Sequence, residues 1–358
     1  MRRLVFMTIF FVAAACGEGI VKTVPEGPSS DDNDGAYAPT PDAGQEALDA
    51  GENLTDAGSE LPDAGPGSDD EASLPTYGFA NVTGGKGGST VRVTNATDFL
   101  RYAQSSSPHV IEVSGTINLT AGMHSLQSNK TIIGVGSTAR ITGGGLYFRG
   151  KTNVIIKNIT CTGVSEDCIG LDGSTNVLIA NNDFSDAGDG LLDIYRGSND
   201  VTVCWNRFGN HDLTSLVGHD DAHVSDRGKL RVTYHHNWFD GVDQRMPRVR
   251  YGEVHVFNNY YKGNDSLYAL GVGVEAKIYS ENNYFENIPA TYYLDAVSQP
   301  GHARDVGSYY VGSGSSTGWR PDGVTWNPGN HYAYSLDSAV DVKSIVMAKA
   351  GVVRETGP

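Results

Sequence analysis

Basic residues are scarce in this chain. Lys and Arg total 26 against 42 Asp and Glu, a formal charge of −16 over 358 residues. Attraction to a phosphate backbone therefore gets no electrostatic support. The deficit is also local: residues 17–74 hold fifteen acidic side chains and one base, Lys22, while residues 75–358 carry only about −4. Long apolar runs are equally rare, and none after residue 16 approaches the roughly 20 residues of a membrane-spanning helix. Cysteine is limited to Cys16, Cys161, Cys168 and Cys204, at spacings that match no zinc-ligand pattern. Amphipathic helical stripes are missing too. What is present instead is 45 Gly, many Asn and short β-branched runs, the composition of an all-β, turn-rich fold.

The N-terminus reads as an export signal over residues 1–16. Arg2 and Arg3 supply the basic start, residues 4–12 the apolar stretch, and Ala13, Ala14 and Ala15 a small-residue cleavage site. Cys16 follows directly and resembles the acylated cysteine of a bacterial lipoprotein box, which implies a cell-surface lipoprotein anchored in the outer membrane. An ordinary secretory signal cut at the same place, giving a secreted protein, is the alternative. Residues 17–74 are low in complexity, with Asp-Ala-Gly recurring at Asp42, Asp56 and Asp63. Such a segment buries too little apolar surface to order itself and is expected to be a disordered acidic tether. With Cys16 set aside, the folded part (75–358) keeps three cysteines. A Cys161–Cys168 disulfide suits an exported chain, and buried thiols suit it equally.

An internal repeat decides the fold class. Eight-residue segments starting at Val177, Val201, Val232, Val254 and Ile278 each begin with a β-branched residue. Each carries Asn at the sixth position (Asn182, Asn206, Asn237, Asn259, Asn283) and an aromatic at the eighth (Phe184, Phe208, Phe239, Tyr261, Phe285). A weaker copy starts at Val154. The interval is 22–24 residues except before Val232, where it is 31 and holds an insertion. Short strands at this period predict a single-stranded right-handed parallel β-helix, each coil stacked on the last. The Asn should bond the neighbouring coil's backbone, and the aromatics should stack inside. His235 and His236 fall within a repeat copy and read as structural, as do His219 and His255.

Two segments depart from the repeat. Asp167 and Asp189 are 22 residues apart, one coil, and Asp193 follows on the same strand face, about 13 Å along if the strand is straight. Gly188 and Gly190 permit the bend that would draw them together. Converging carboxylates would repel unless an oxygen-liganded cation such as Ca²⁺ joined them; separate, solvated turn residues are the alternative. The second segment spans Gln244 to Arg250, where Arg245, Arg248 and Arg250 offer forked donors for carboxylates, and surface ion pairs are the plainer reading. Pro247 is expected to bend this piece out of the ladder.

Together these residues resemble the pectate lyases of polysaccharide lyase family one. The likeness is carried by Asp189-Gly190-x-x-Asp193-Ile194, Val201-Thr202-Val203 and Leu216-Val217-Gly218-His219. It continues in Val232-Thr233-Tyr234-His235-His236-Asn237, Arg245-x-Pro247-x-x-Arg250 and Val254-His255-Val256-x-Asn258-Asn259-Tyr260-Tyr261, and it covers roughly residues 80–300. The resemblance implies a monomeric enzyme that cleaves polygalacturonate or pectin by β-elimination. Asp167, Asp189 and Asp193 would bind Ca²⁺, Arg245 would be the Brønsted base, and Arg250, with Arg248, would hold substrate carboxylates. Because arginine is charged at neutral pH, a cation and desolvation beside it favour its role as a base, and an alkaline optimum is expected. One departure stands out: Leu213 occupies the position of the family's substrate-binding lysine, and Lys229 is the candidate to replace it. The three Asp argue against a calcium-independent pectin lyase, although Leu213 leans toward one. The paired Arg245 and Arg250 argue against a non-catalytic pectin-binding helix.

Overall fold

Each repeat copy becomes a strand, a sharp bend and a second strand. In the copy from Val177 the strands are Thr175–Ala180 and Asp183–Phe184. The bend sets its fifth residue in the left-handed region, with Asn181 at φ 53°, Trp205 at 58°, His236 at 53°, Asn258 at 50° and Asn282 at 44°. Asn suits this conformation because its short amide bonds locally. The computed structural model describes residues 76–314 and 319–353; the export signal, Cys16 and the 17–74 tether lie outside the described residues.

Stacking these units generates three parallel faces. Sheet 1 carries the first strand of every copy, among them Asn199–Cys204, Val232–His235, Glu253–Phe257 and Lys277–Glu281. Sheet 2 carries the second, including Arg207–Gly209, Trp238–Asp240, Tyr260–Lys262 and Tyr284–Glu286. Both continue into the long strand Lys130–Gly143 near the N-terminal end. Sheet 3 has eight strands, among them Ile169–Asp172, Leu192–Tyr195, Ser215–Val217, Arg248–Val249, Leu270–Val272 and Tyr292–Leu294. The expected parallel β-helix is the fold.

The repeated side chains do what their period requires. Asn206 Oδ1 accepts from Asn182 N at 2.9 Å and Asn182 Nδ2 at 3.0 Å, and the pattern repeats through Asn237, Asn259 and Asn283. All five amides are buried with their bonds made, so losing one strands its neighbour's donors, at about 1–3 kcal/mol each. The aromatics stack from Phe184 to Phe208 (5.2 Å), Phe239 (5.1 Å), Tyr261 (4.9 Å) and Phe285 (4.6 Å). The ladder ends where the copy from Val154 puts Cys161 opposite Phe184. Cys161 is disulfide-bonded to Cys168, and Cys204 is a buried free thiol.

Two helices depart from the all-β expectation. Ala96–Ala103 is capped by Asn95, whose side chain accepts from Asp98 N, and it buries Phe99 and Ala103 at the N-terminal end of the core. Val342–Lys349 packs Val342 and Val346 onto Tyr260 of sheet 2. The first covers an end of the solenoid, which needs a cap, whereas the second lies along the side of the central coils, where Asn181 Nδ2 donates to the Lys349 carbonyl. Among the described residues, no helix is long and apolar enough to cross a membrane.

Candidate active site

The outer face of sheet 3 collects the residues that broke the repeat. Leu192 and Ile194 point into the core, so Asp193 between them stands outside. Register carries this row across successive coils as Gly170, Asp193, Leu216, Arg248, Gly271 and Tyr293. Asp167 and Asp189 sit just ahead of the Ile169 and Leu192 strands, one coil apart as their spacing predicted.

Gly190 is what lets two of the carboxylates approach. A Cβ there would lie 2.5 Å from Asp193 Oδ1 and 3.1 Å from Asp167 Oδ1. Asp167 accepts a bond from Gly190 N at 2.8 Å, and Asp193 accepts one from Leu216 N at 3.1 Å. Burial, then the charges of Asp193 and Asp189, push the Asp167 carboxyl well above its ordinary range. Asp189, whose charge reaches Asp167, also lines a cleft of about 570 Å³ with His211, Asp212, Leu213, Asp243 and Asp265. Among the described residues, no three His, Cys, Asp or Glu are gathered closely enough to hold a metal ion as they stand. An all-carboxylate set nevertheless fits a hard cation, which would offset the mutual repulsion that adds to burial in raising Asp167.

The arginines share one coil, the second beyond that of Asp193. Arg245 accepts Ser215 N on its carbonyl at 2.8 Å and has φ 60°, a conformation that costs a non-glycine residue about 1 kcal/mol and is concentrated at functional sites. Its side chain is only 7% exposed, and Nε is buried with no hydrogen-bond partner. Arg248 donates to Asp295 at 2.9 Å, and Arg250 donates from Nε to Asp221 at 2.7 Å. Pro247 does not bend the segment away. Arg248 and Val249 rejoin sheet 3 against Leu216 and Val217, because proline opening a strand forfeits no ladder bond.

Lys229 does not stand in for Leu213. It approaches Gly197, beyond the C-terminal end of the Leu192–Tyr195 strand, whereas Leu213 precedes the neighbouring strand and bridges to Gln244. Sequence reading missed Tyr268, Asp295 and Asp221. Tyr268 stacks on Tyr293 at 5.2 Å, and its hydroxyl is pushed up to about 12 by burial while Arg248, Arg245 and Arg250 pull the other way. Applying the coil period to the arginines would have flagged Asp295, 47 residues from Arg248. His235, His236 and His255 lie on sheet 1 and its bend, away from this face.

A family model described as pectate lyase matches residues 68–355. This chain belongs to the pectate lyase family. The match reaches well beyond the 80–300 stretch of the resemblance and takes in the C-terminal helix. Pectate lyase E of Dickeya chrysanthemi is 36% identical over 274 residues, covering 60% of this chain and 71% of that one. The pectate trisaccharide-lyase of Bacillus licheniformis is 34% identical over 305 residues, covering 78% and 87%. A Bacillus pectate lyase solved with trigalacturonate is 28% identical at TM-score 0.66, covering 77% of this chain and 98% of that one. The chain is a polysaccharide lyase with pectate lyase activity on polygalacturonate.

Proposed function

We propose that this lyase works by β-elimination on the outer face of sheet 3. In this reading Arg245 is the base, Arg250 and Arg248 hold substrate carboxylates, and Asp167, Asp189 and Asp193 ligate Ca²⁺. The observation that carries it is Arg245: nearly buried, with Nε spent on no protein group, two coils from Asp193 and three from Asp167 on the same sheet. When bound, Ca²⁺ supplies charge neutralisation at a galacturonate carboxylate. A nitrogen of Arg245 in its neutral form takes the C5 proton and afterwards returns it to solvent. The C5–H electron pair becomes the C4–C5 double bond, the C4–O glycosidic bond breaks, and the departing oxygen takes a proton from solvent. Arg250 orients the sugar through its carboxylate.

Leu213 gives the groove a local preference. It shares its cleft with Asp189, Asp212, Asp243 and Asp265, and that setting suits a methyl ester better than a bare carboxylate. Leu213→Lys should raise the rate on polygalacturonate relative to partly methylated pectin by roughly tenfold, the equivalent of one charge-assisted contact; unchanged relative rates would remove Leu213 from the substrate path. Export, with a lipid anchor at Cys16, is the proposed cellular context, and mass spectrometry of the mature N-terminus tests it.

The mechanism is tested by incubating the protein with polygalacturonate, with and without chelator. Elimination leaves an unsaturated uronate end that absorbs in the ultraviolet, and this signal should vanish with chelator and return with added Ca²⁺. Full activity in excess chelator would remove the metal from the mechanism.

A further inference from the structure

The arginine expected to clamp a substrate carboxylate is already holding one. Arg250 Nε donates to Asp221 Oδ1 at 2.7 Å, and its Nη1 to the His219 carbonyl at 3.3 Å. Asp221 belongs to the insertion that lengthens one repeat interval to 31 residues. Its side chain is 48% exposed, while that of Arg250 is 7% exposed. The rest of the insertion is fastened on both sides of this contact. Tyr251 donates its hydroxyl to the Asp221 carbonyl, Arg227 pairs with Glu275, and Asp226 is fully buried. On its other side Arg250 lies over Gly273, where a Cβ would come within 3.0 Å both of its Cγ and of Asp295 Oδ2.

We infer that Asp221 is a specificity-determining residue: an internal carboxylate that occupies Arg250 until a galacturonate carboxylate displaces it. This rests on Arg250 being a substrate-binding group. The chemistry is an exchange of one carboxylate for another on the same guanidinium. Only substrates that bring a carboxylate recover the ion pair. An esterified sugar must either leave Asp221 in place or break the pair without replacing it. The subsite therefore discriminates by charge, and Asp221 weakens polygalacturonate binding by the worth of a half-exposed ion pair, about two- to fivefold.

The test compares Asp221→Asn with the unaltered protein on polygalacturonate and on highly methyl-esterified pectin, at saturating Ca²⁺. KM for polygalacturonate should fall about two- to fivefold with no fall for esterified pectin, so the ratio of the two shifts. A KM for polygalacturonate that stays constant or rises overturns the inference, the rise identifying Asp221 as a brace for Arg250. Arg250→Ala separates the two layers. If it raises KM while Asp221→Asn does not lower it, the displacement idea alone fails. If it leaves KM unchanged, Arg250 is not a carboxylate clamp and both readings fall.

Discussion

Sheets 1 and 3 are built by the same coils, yet their outer faces have opposite fates. On sheet 1 the outward groups Thr233, His235, His255 and Glu281 are buried beneath the chain ends. His255 sits between Tyr332 at 2.7 Å and Glu281 at 3.0 Å, Tyr332 also meets Thr233, and His236 reaches Asp337 at 2.9 Å. On sheet 3 the charges are grouped by sign: Asp167 and Asp193 on adjacent coils, and Arg245, Arg248 and Arg250 on one coil two beyond Asp193. Titratable residues at coil spacing are thus not a site by themselves. Partners and a cover make them structure, whereas carboxylates crowded by their neighbours and a buried guanidinium nitrogen with no partner, as at Asp167 and Arg245, mark machinery.

Exchanging the two faces' properties by mutation gives the largest contrast at Arg245. Arg245→Lys should lower kcat about 10²–10⁴-fold with a small change in KM, because a base acts in the transition state. The melting temperature should hold within a few degrees. A rate above a tenth of the original would move the base elsewhere.

A ladder residue should behave in reverse. Phe239→Ala removes a ring stacked on Phe208 and Tyr261 in the fully buried core and should cost about 3–5 kcal/mol in urea unfolding. The fraction that remains folded should keep its kcat, and a selective loss of catalysis at unchanged stability would blur the division between faces.

The smallest effect is in pH dependence and belongs to sheet 1 and its bend. Burial holds His235, His236 and His255 below the ordinary imidazole value of 6.5. They are neutral when folded, so the unfolded chain binds protons more readily as the medium turns acidic. Their contribution is complete above pH 6.5 and is lost as pH falls below it. Thermal unfolding followed from neutral pH down to pH ~5 should show the midpoint falling, and His235→Gln should flatten the decline. An unaltered slope in that variant would assign the acid sensitivity to other groups.

The coil period, the Asn ladder and the aromatic ladder were determined by the sequence alone, because a stacked repeat projects one-dimensional spacing directly onto neighbouring contacts. The same projection placed Asp167 one coil from Asp189, and local pattern singled out Arg245, Arg248 and Arg250. Only the tertiary structure decided what those groups meet. Asp221 reaches Arg250 from an insertion whose path has no period, and Asp295 reaches Arg248 across two coils. The close approach of Asp193 and Asp167 around Gly190, where a Cβ would meet both carboxylates, was permitted by the sequence but set by packing. The two helices escaped notice for a related reason: they obey no repeat, and the apolar surfaces they cover exist only once the coils have stacked. Cover over sheet 1 and exposure of sheet 3, the difference that separates scaffold from active face, likewise depends on where the chain ends settle.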